Sequence, residues 1–85
     1  AGDNDKAIGY YQRALAASRQ ALGPDHPDNA LYLNNLGSAY KRLGDRDNAA
    51  DHFRQAQTLL AGHFAAGHPW VEAVDRNLAR LDADD

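Results

Sequence analysis

The amino-acid sequence predicts an all-α fold: a short α-solenoid of about four helices arranged as antiparallel hairpins. Apolar residues between the Gly and Pro breaks recur at spacings of three and four, as in helices, and no segment alternates as a strand does. The chain also matches itself at an offset of 42 residues, and such a period indicates repeated helical hairpins. The residues that meet identical partners at this offset are Gly2, Asp3, Asp5, Ala7, Ala14, His26, Pro27, Asn35 and Leu36.

The first two predicted helices end at glycines. Residues 5–22 form the first helix, which Gly23-Pro24 terminates, and residues 29–43 form the second, which Gly44 terminates. Each carries one apolar stripe. The stripes consist of Ile8, Tyr11, Leu15, Ser18 and Leu22 in the first helix and of Leu33, Leu36, Tyr40 and Leu43 in the second.

The third and fourth predicted helices follow the same pattern. Residues 46–64 form the third, with Gly62 and Gly67 loosening its end before Pro69, and residues of about 70–81 form the fourth. Their apolar faces consist of Ala49, Phe53, Ala56, Leu60 and Phe64 in the third helix and of Val71, Val74, Leu78 and Leu81 in the fourth. Asp45 and Asp47 place negative charge at the start of the third helix, which its dipole favours.

The segment between the first two helices contains an Asp25-His26-Pro27 sequence that allows two interpretations. His26 with Asp25 has the composition of a base and its orienting carboxylate. The same position recurs as His68 before Pro69, but Gly67 replaces the aspartate there. We therefore expect a structural role. Asp25 and Asp28 would accept hydrogen bonds from the free backbone N–H groups at the helix start, and Pro27 fits the first turn.

Composition argues against several classes of function. The 85 residues carry a net charge of −3 without a basic run, which disfavours nucleic acid as a partner. No membrane-spanning segment, signal sequence or lipidation motif is visible, and we expect a cytoplasmic protein without membrane contact. The chain has no cysteine, and His26, His52, His63 and His68 form no metal motif. We predict no catalytic residue, cofactor or metal, and hence no enzyme.

The motifs in these helices resemble the tetratricopeptide repeat, in the 42-residue form of kinesin light chains. The resemblance is carried by the stretch LGPDHPDNALYLNNLG at 22–37 and by small and aromatic residues at fixed positions, namely Leu33, Leu36, Gly37, Tyr40, Gly44, Ala49, Phe53 and Ala56. It implies a single domain over 1–85. Within it, 3–22 would be the second helix of a preceding repeat, 28–64 a complete repeat, and 69–82 a partial repeat or capping helix. The opening without methionine leads us to expect a fragment of a larger protein.

A polar stripe on the second helix is the candidate binding site. Asn34, Ser38, Lys41 and Arg42 lie at helical spacings on one face, beside the apolar stripe. The resemblance implies that first helices of repeats line the concave surface and contact an extended peptide. Amides can bond a peptide backbone and arginine can fork onto a carboxylate. The expected partner-binding set is Asn34, Asn35, Ser38, Lys41, Arg42, Arg76, Asn77 and Arg80; the alternative is that these are solvated helix positions.

The sequence therefore favours a protein interaction module that binds a protein or an extended, acidic peptide. A different class of function stays open: a self-assembling repeat unit without a separate ligand. In that case a homodimer would form through the unpaired terminal helices, because the first helix lacks the partner that a complete repeat would give it.

Overall fold

The computed structural model describes residues 2–83 and confirms the all-α fold. Its four helices are α1 (Gly2–Leu22), α2 (Asn29–Leu43), α3 (Arg46–Ala61) and α4 (Pro69–Ala83), and residues 2–83 contain no strand. Helix α3 ends three residues earlier than the sequence pattern predicts, because the chain turns at Gly62. Each helix packs against the next one along the chain, as in a stack of hairpins.

Two glycines make the turns at the ends of α1 and α2. Gly23 has a φ of 95° and Gly44 a φ of 85°, values that side chains with a Cβ rarely adopt. The backbone N–H of Gly44 bonds the carbonyl of Lys41, which closes the end of α2. The side chain of Asp45 then accepts the backbone N–H of Asn48 and caps the start of α3.

The start of α2 is capped by a residue other than the predicted ones. Asp28 occupies the N-cap position, but its side chain makes no capping hydrogen bond. The predicted capping role of Asp28 is therefore wrong. Instead, His26 Nδ1 accepts the backbone N–H of Asp28 at 3.1 Å. His68 Nδ1 accepts the N–H of Trp70 at the same distance, at the start of α4. The repeated histidine therefore has a repeated structural contact.

Small residues let α2 and α3 approach closely. Ala49 and Ala56 are fully buried, and the ring of Phe53 lies against the backbone of Gly37. Asn29 is also fully buried, and its Nδ2 donates to the carbonyls of Gly23 and Pro24 at 2.9 and 3.2 Å. This amide holds the end of α1 against the start of α2.

The stack is more closely packed on one side than on the other. Helices α2 and α4 contact each other, whereas the Cα atoms of α1 and α3 stay more than 8 Å apart within the described residues. We call the side on which α2 contacts α4 the inner side of the stack and the α1/α3 side the outer side. The polar stripe predicted on the second helix belongs to a helix of this inner side.

Candidate functional site: a groove along helices α2 and α4

A depression between the C-terminal halves of α2 and α4 brings together five of the predicted binding residues. It encloses about 310 Å³. Its lining consists of Ser38, Lys41, Arg42, Asn77 and Arg80 together with the edge of the buried Phe53. Three of these side chains are cationic and none is acidic, although the chain as a whole has a net charge of −3. We call this depression the cationic end of the groove.

A hydrogen bond between two amides joins α2 to α4 in the middle of the groove. Asn77 Nδ2 donates to Asn34 Oδ1 at 2.8 Å, and the pair is partly buried. Each side chain has a second hydrogen-bonding group, the Nδ2 of Asn34 and the Oδ1 of Asn77. The pair can therefore offer one donor and one acceptor to a further molecule.

An apolar pocket lies on the other side of the amide pair. It encloses about 110 Å³ between the N-terminal halves of the two helices. Its walls are Ala30, Leu31, Asn34, Leu60, Trp70, Ala73 and Val74. Leu31 and Trp70 are large apolar side chains that remain 47% and 41% exposed. The sequence analysis did not identify this pocket. The available signal was a pair of large apolar residues outside the predicted stripes, Leu31 and Trp70.

Two predicted binding residues are not part of the groove lining. Asn35 and Arg76 are exposed, and neither borders the cationic end or the apolar pocket. Asn35 is the counterpart of Asn77 in the repeat, but in the structure Asn34 is the residue that meets Asn77. The offset therefore identified equivalent positions without showing which of them meet across the stack.

One cation of the groove bonds a neighbouring helix. Arg42 Nε donates to Asn4 Oδ1 of α1 at 3.3 Å, and Arg42 is exposed. Lys41 also has a partner within the structure. At the far end of α4, Arg46 donates to the carbonyl of Leu81 and ties α3 to α4.

A second, wider depression lies between α1 and α3 on the outer side of the stack and encloses about 630 Å³. Arg19, Arg54 and His63 border it, but so do Asp25 and Asp51, so its charges are mixed. His63 Nε2 is 2.6 Å from the carbonyl oxygen of Asp25 and connects the two loops at its edge. The inner groove differs from this depression in having cations alone.

Residues 2–83 contain neither a clustered set of metal-ligating side chains nor a helix able to span a membrane. No three His, Cys, Asp or Glu side chains in this part of the chain are grouped closely enough to hold a metal ion. None of its helices combines the length and the apolar character needed to cross a bilayer. All four histidines have a ring nitrogen hydrogen-bonded to the backbone, namely His26, His52, His63 and His68.

Comparisons with known proteins give two different similarities. The tetratricopeptide repeat family matches residues 1–61, which is more than half of the chain. The chain is also similar to globin CTT-IIIA of Chironomus thummi thummi, with 34% identity over 74 residues that make up 84% of this chain and 46% of the globin. The chain thus spans about half the length of that relative. The hairpins in chain order and the close contact of Gly37 with Phe53 agree with the helical repeat.

Proposed function

Because this chain belongs to the tetratricopeptide repeat family, we propose that it is a protein interaction module that holds an extended segment of a partner protein in the α2/α4 groove. The family mediates protein–protein interaction and is a non-catalytic scaffold. To this general role of the family, the proposal adds the α2/α4 groove as the binding face and an extended peptide segment as the ligand. It assigns no catalytic activity to this chain.

One observation carries the proposal: five of the polar residues expected on a binding face line a single depression. Cations gathered in a chain of net negative charge attract acidic ligands selectively. The Asn34–Asn77 pair lies beside them and suits backbone amides of an extended peptide. Asn35 and Arg76 remain part of the proposed set only as exposed residues at its margin.

The proposal includes a division of the chain into repeats of the 42-residue kinesin-light-chain type. In this division 3–22 is the second helix of a preceding repeat, 28–64 is a complete repeat, and 69–82 is a partial repeat or cap. The identical residues at the 42-residue offset support it, as does the histidine contact repeated at His26 and His68. We also propose that the chain is a piece of a larger protein and that this protein is cytoplasmic. Imaging of the tagged full-length protein would test its location.

The binding function can be tested with peptides selected from a displayed library on the immobilised chain. Asn34→Ala and Arg42→Ala should each weaken binding of the selected peptides by about 1–2 kcal/mol, because binding energy concentrates in a few contacts. Arg54→Ala is the matched control, since Arg54 is an exposed arginine of the outer depression. Peptides that bind all three variants equally well, with unchanged helicity and melting, would place the site elsewhere.

Self-association through α1 is a second candidate function, and a difference in burial between the repeats favours it. Ala49, Phe53, Ala56 and Leu60 of α3 are 0–2% exposed. Their counterparts at the 42-residue offset in α1 are Ala7, Tyr11, Ala14 and Ser18, and all four are only half-buried. This face of α1 is therefore the one that a second copy would cover.

Helix α4 is less suited to pair with another helix in this way. Ala79 stands where α2 has Gly37, so its Cβ would obstruct the close approach that α2 makes to α3. Asp75 stands where α2 has Leu33, and its carboxylate accepts a hydrogen bond from Gln57 at 2.8 Å. These differences support a capping role for α4 and leave α1 as the proposed dimer face.

Light scattering over a hundredfold concentration range tests the dimer. Association should weaken in Tyr10→Arg, because Tyr10 is 61% exposed and contacts the ring of Tyr11. Ala79→Arg, which introduces the same residue at an exposed position of α4, should leave association unaltered. A chain that stays at the monomer mass of 9.3 kDa throughout would rule the dimer out.

A further inference from the structure

The groove along α2 and α4 changes its chemistry from one end to the other. Leu31 and Trp70 border the apolar pocket near the helix starts. Lys41 and Arg80 border the cationic end, ten positions further along the same two helices. The same number of residues separates Leu31 from Lys41 and Trp70 from Arg80, so both helices contribute to the change in parallel. The Asn34–Asn77 hydrogen bond lies between the two ends.

We propose that this groove selects an extended peptide by the spacing between one apolar side chain and an acidic residue about four to five positions away. The inference rests on the proposed function and specifies its ligand. The apolar side chain enters the pocket beside Trp70, and the carboxylate lies between Arg42 and Arg80. The peptide backbone passes over the amide pair.

The spacing follows from the geometry of the two helices. A helix rises about 1.5 Å per residue, so the ten positions from Leu31 to Lys41 span roughly 15 Å. An extended peptide advances about 3.3 Å per residue, and the same span takes about four to five residues. An acidic residue next to the apolar one in sequence would stop short of the arginines.

Each part of the groove contributes a different kind of recognition. The pocket of about 110 Å³ has mainly apolar walls and suits one aliphatic side chain. The cationic end has no acidic lining residue, so a carboxylate meets attraction without a competing repulsion. In the middle, Asn34 Nδ2 can donate to a peptide carbonyl while Asn77 Oδ1 accepts a peptide N–H. The amides therefore hold the backbone without reading its side chains.

The chain itself supplies the signal for an experiment, because Trp70 is its one tryptophan and forms a wall of the pocket. Acetylated and amidated peptides of roughly ten residues should carry one leucine and a pair of glutamates on a serine background. The glutamates are placed one, three, five or seven positions from the leucine, in both orders along the peptide. Titration is followed by the emission of Trp70 and, in parallel, by calorimetry.

We expect binding to be strongest at the spacing of about four to five residues in one of the two orders, by about tenfold over the adjacent spacing. Trp70 emission should shift with the leucine peptides and not with versions that carry serine in its place. Arg80→Ala should weaken the best peptide several-fold, whereas Arg54→Ala on the outer side should not. Added salt should reduce the preference, because it screens the exposed cations.

Equal affinity at every spacing, or no difference between Arg80→Ala and Arg54→Ala, would overturn the inference. The failure of the proposed function looks different. If library-selected peptides still depend on Asn34 and Arg42 while the spacing series is flat, the groove binds peptides but does not measure this distance. If neither set depends on these residues, both the spacing and the groove function are wrong.

Discussion

The ring of Phe53 lies so close to Gly37 that a Cβ at position 37 would stand 2.5 Å from a ring carbon. Phe53 is 1% exposed and belongs to the hydrophobic core. We therefore expect Gly37→Ala to destabilise the chain by about 1–3 kcal/mol, since the ring or the helix must shift to admit the methyl group. Urea denaturation followed by circular dichroism measures this change.

Gly9→Ala is the matched control for that substitution. Gly9 also lies inside a helix, but the nearest atom to a Cβ there is Arg13 Nη1 at 3.6 Å, an ordinary contact. Alanine favours a helix over glycine, so this variant should be more stable by up to about 1 kcal/mol. Destabilisation of both variants by the same amount would contradict the close approach of α2 and α3.

The second prediction concerns Ala56, which is fully buried in α3. Ala56→Leu should overpack the core and lower the free energy of unfolding by about 1–3 kcal/mol, and Ala49→Leu should act in the same way. Ala79→Leu adds the same side chain at an exposed position of α4 and should change stability by less than about 0.5 kcal/mol. Unchanged denaturation midpoints for both buried variants would mean that the helix register is wrong.

The third prediction follows from the contact of His26 with the backbone N–H of Asp28. His26→Ala leaves that N–H without its acceptor and should cost about 0.5–2 kcal/mol of stability, as the loss of a helix cap does. His26→Asn keeps an acceptor two residues before the same N–H and should recover much of the loss. Thermal melting distinguishes these outcomes, and equal melting of the alanine and asparagine variants would exclude the capping role.

The fourth prediction is an acid sensitivity at the start of α3. Hydrogen bonds from the side chain and the backbone of Asn48 lower the pKa of Asp45 below its ordinary value of 3.8. A lowered pKa adds stability above the ordinary value, and this contribution disappears as the pH falls through the lowered pKa. Asp45→Asn retains an acceptor but does not titrate. Its stability should be below that of the parent chain at neutral pH, and the difference should shrink as the pH approaches 2 in urea titrations.

The fifth prediction is independence from metal ions. A chelator should leave the thermal midpoint unchanged, because we expect no structural metal in this chain. If a structural metal were present, its removal would lower the midpoint, since metal binding contributes directly to folding. His63 and His68 are the pair to substitute if the midpoint falls, since both lie in the loop between α3 and α4. A clear fall that these substitutions abolish would establish a histidine site.

The helices could be predicted from the sequence because they depend on local chemistry. The apolar spacing of Phe53, Ala56 and Leu60 identified the buried face of α3, and Gly44 marked the end of α2 through its backbone freedom. Leu22 and Leu43 extend the predicted stripes but are 48% and 40% exposed. They lie at helix ends, where the neighbouring helix no longer covers them.

The tertiary structure alone decided which side chains meet across the stack. Asn34 rather than Asn35 bonds Asn77, because the crossing of α2 and α4 sets which of two adjacent side chains reaches the partner helix. The same crossing joins Leu31 and Trp70 in one pocket, although 39 positions separate them in the sequence. Helical period fixes the face on which a residue lies, whereas the position along the crossing depends on packing that no single helix encodes.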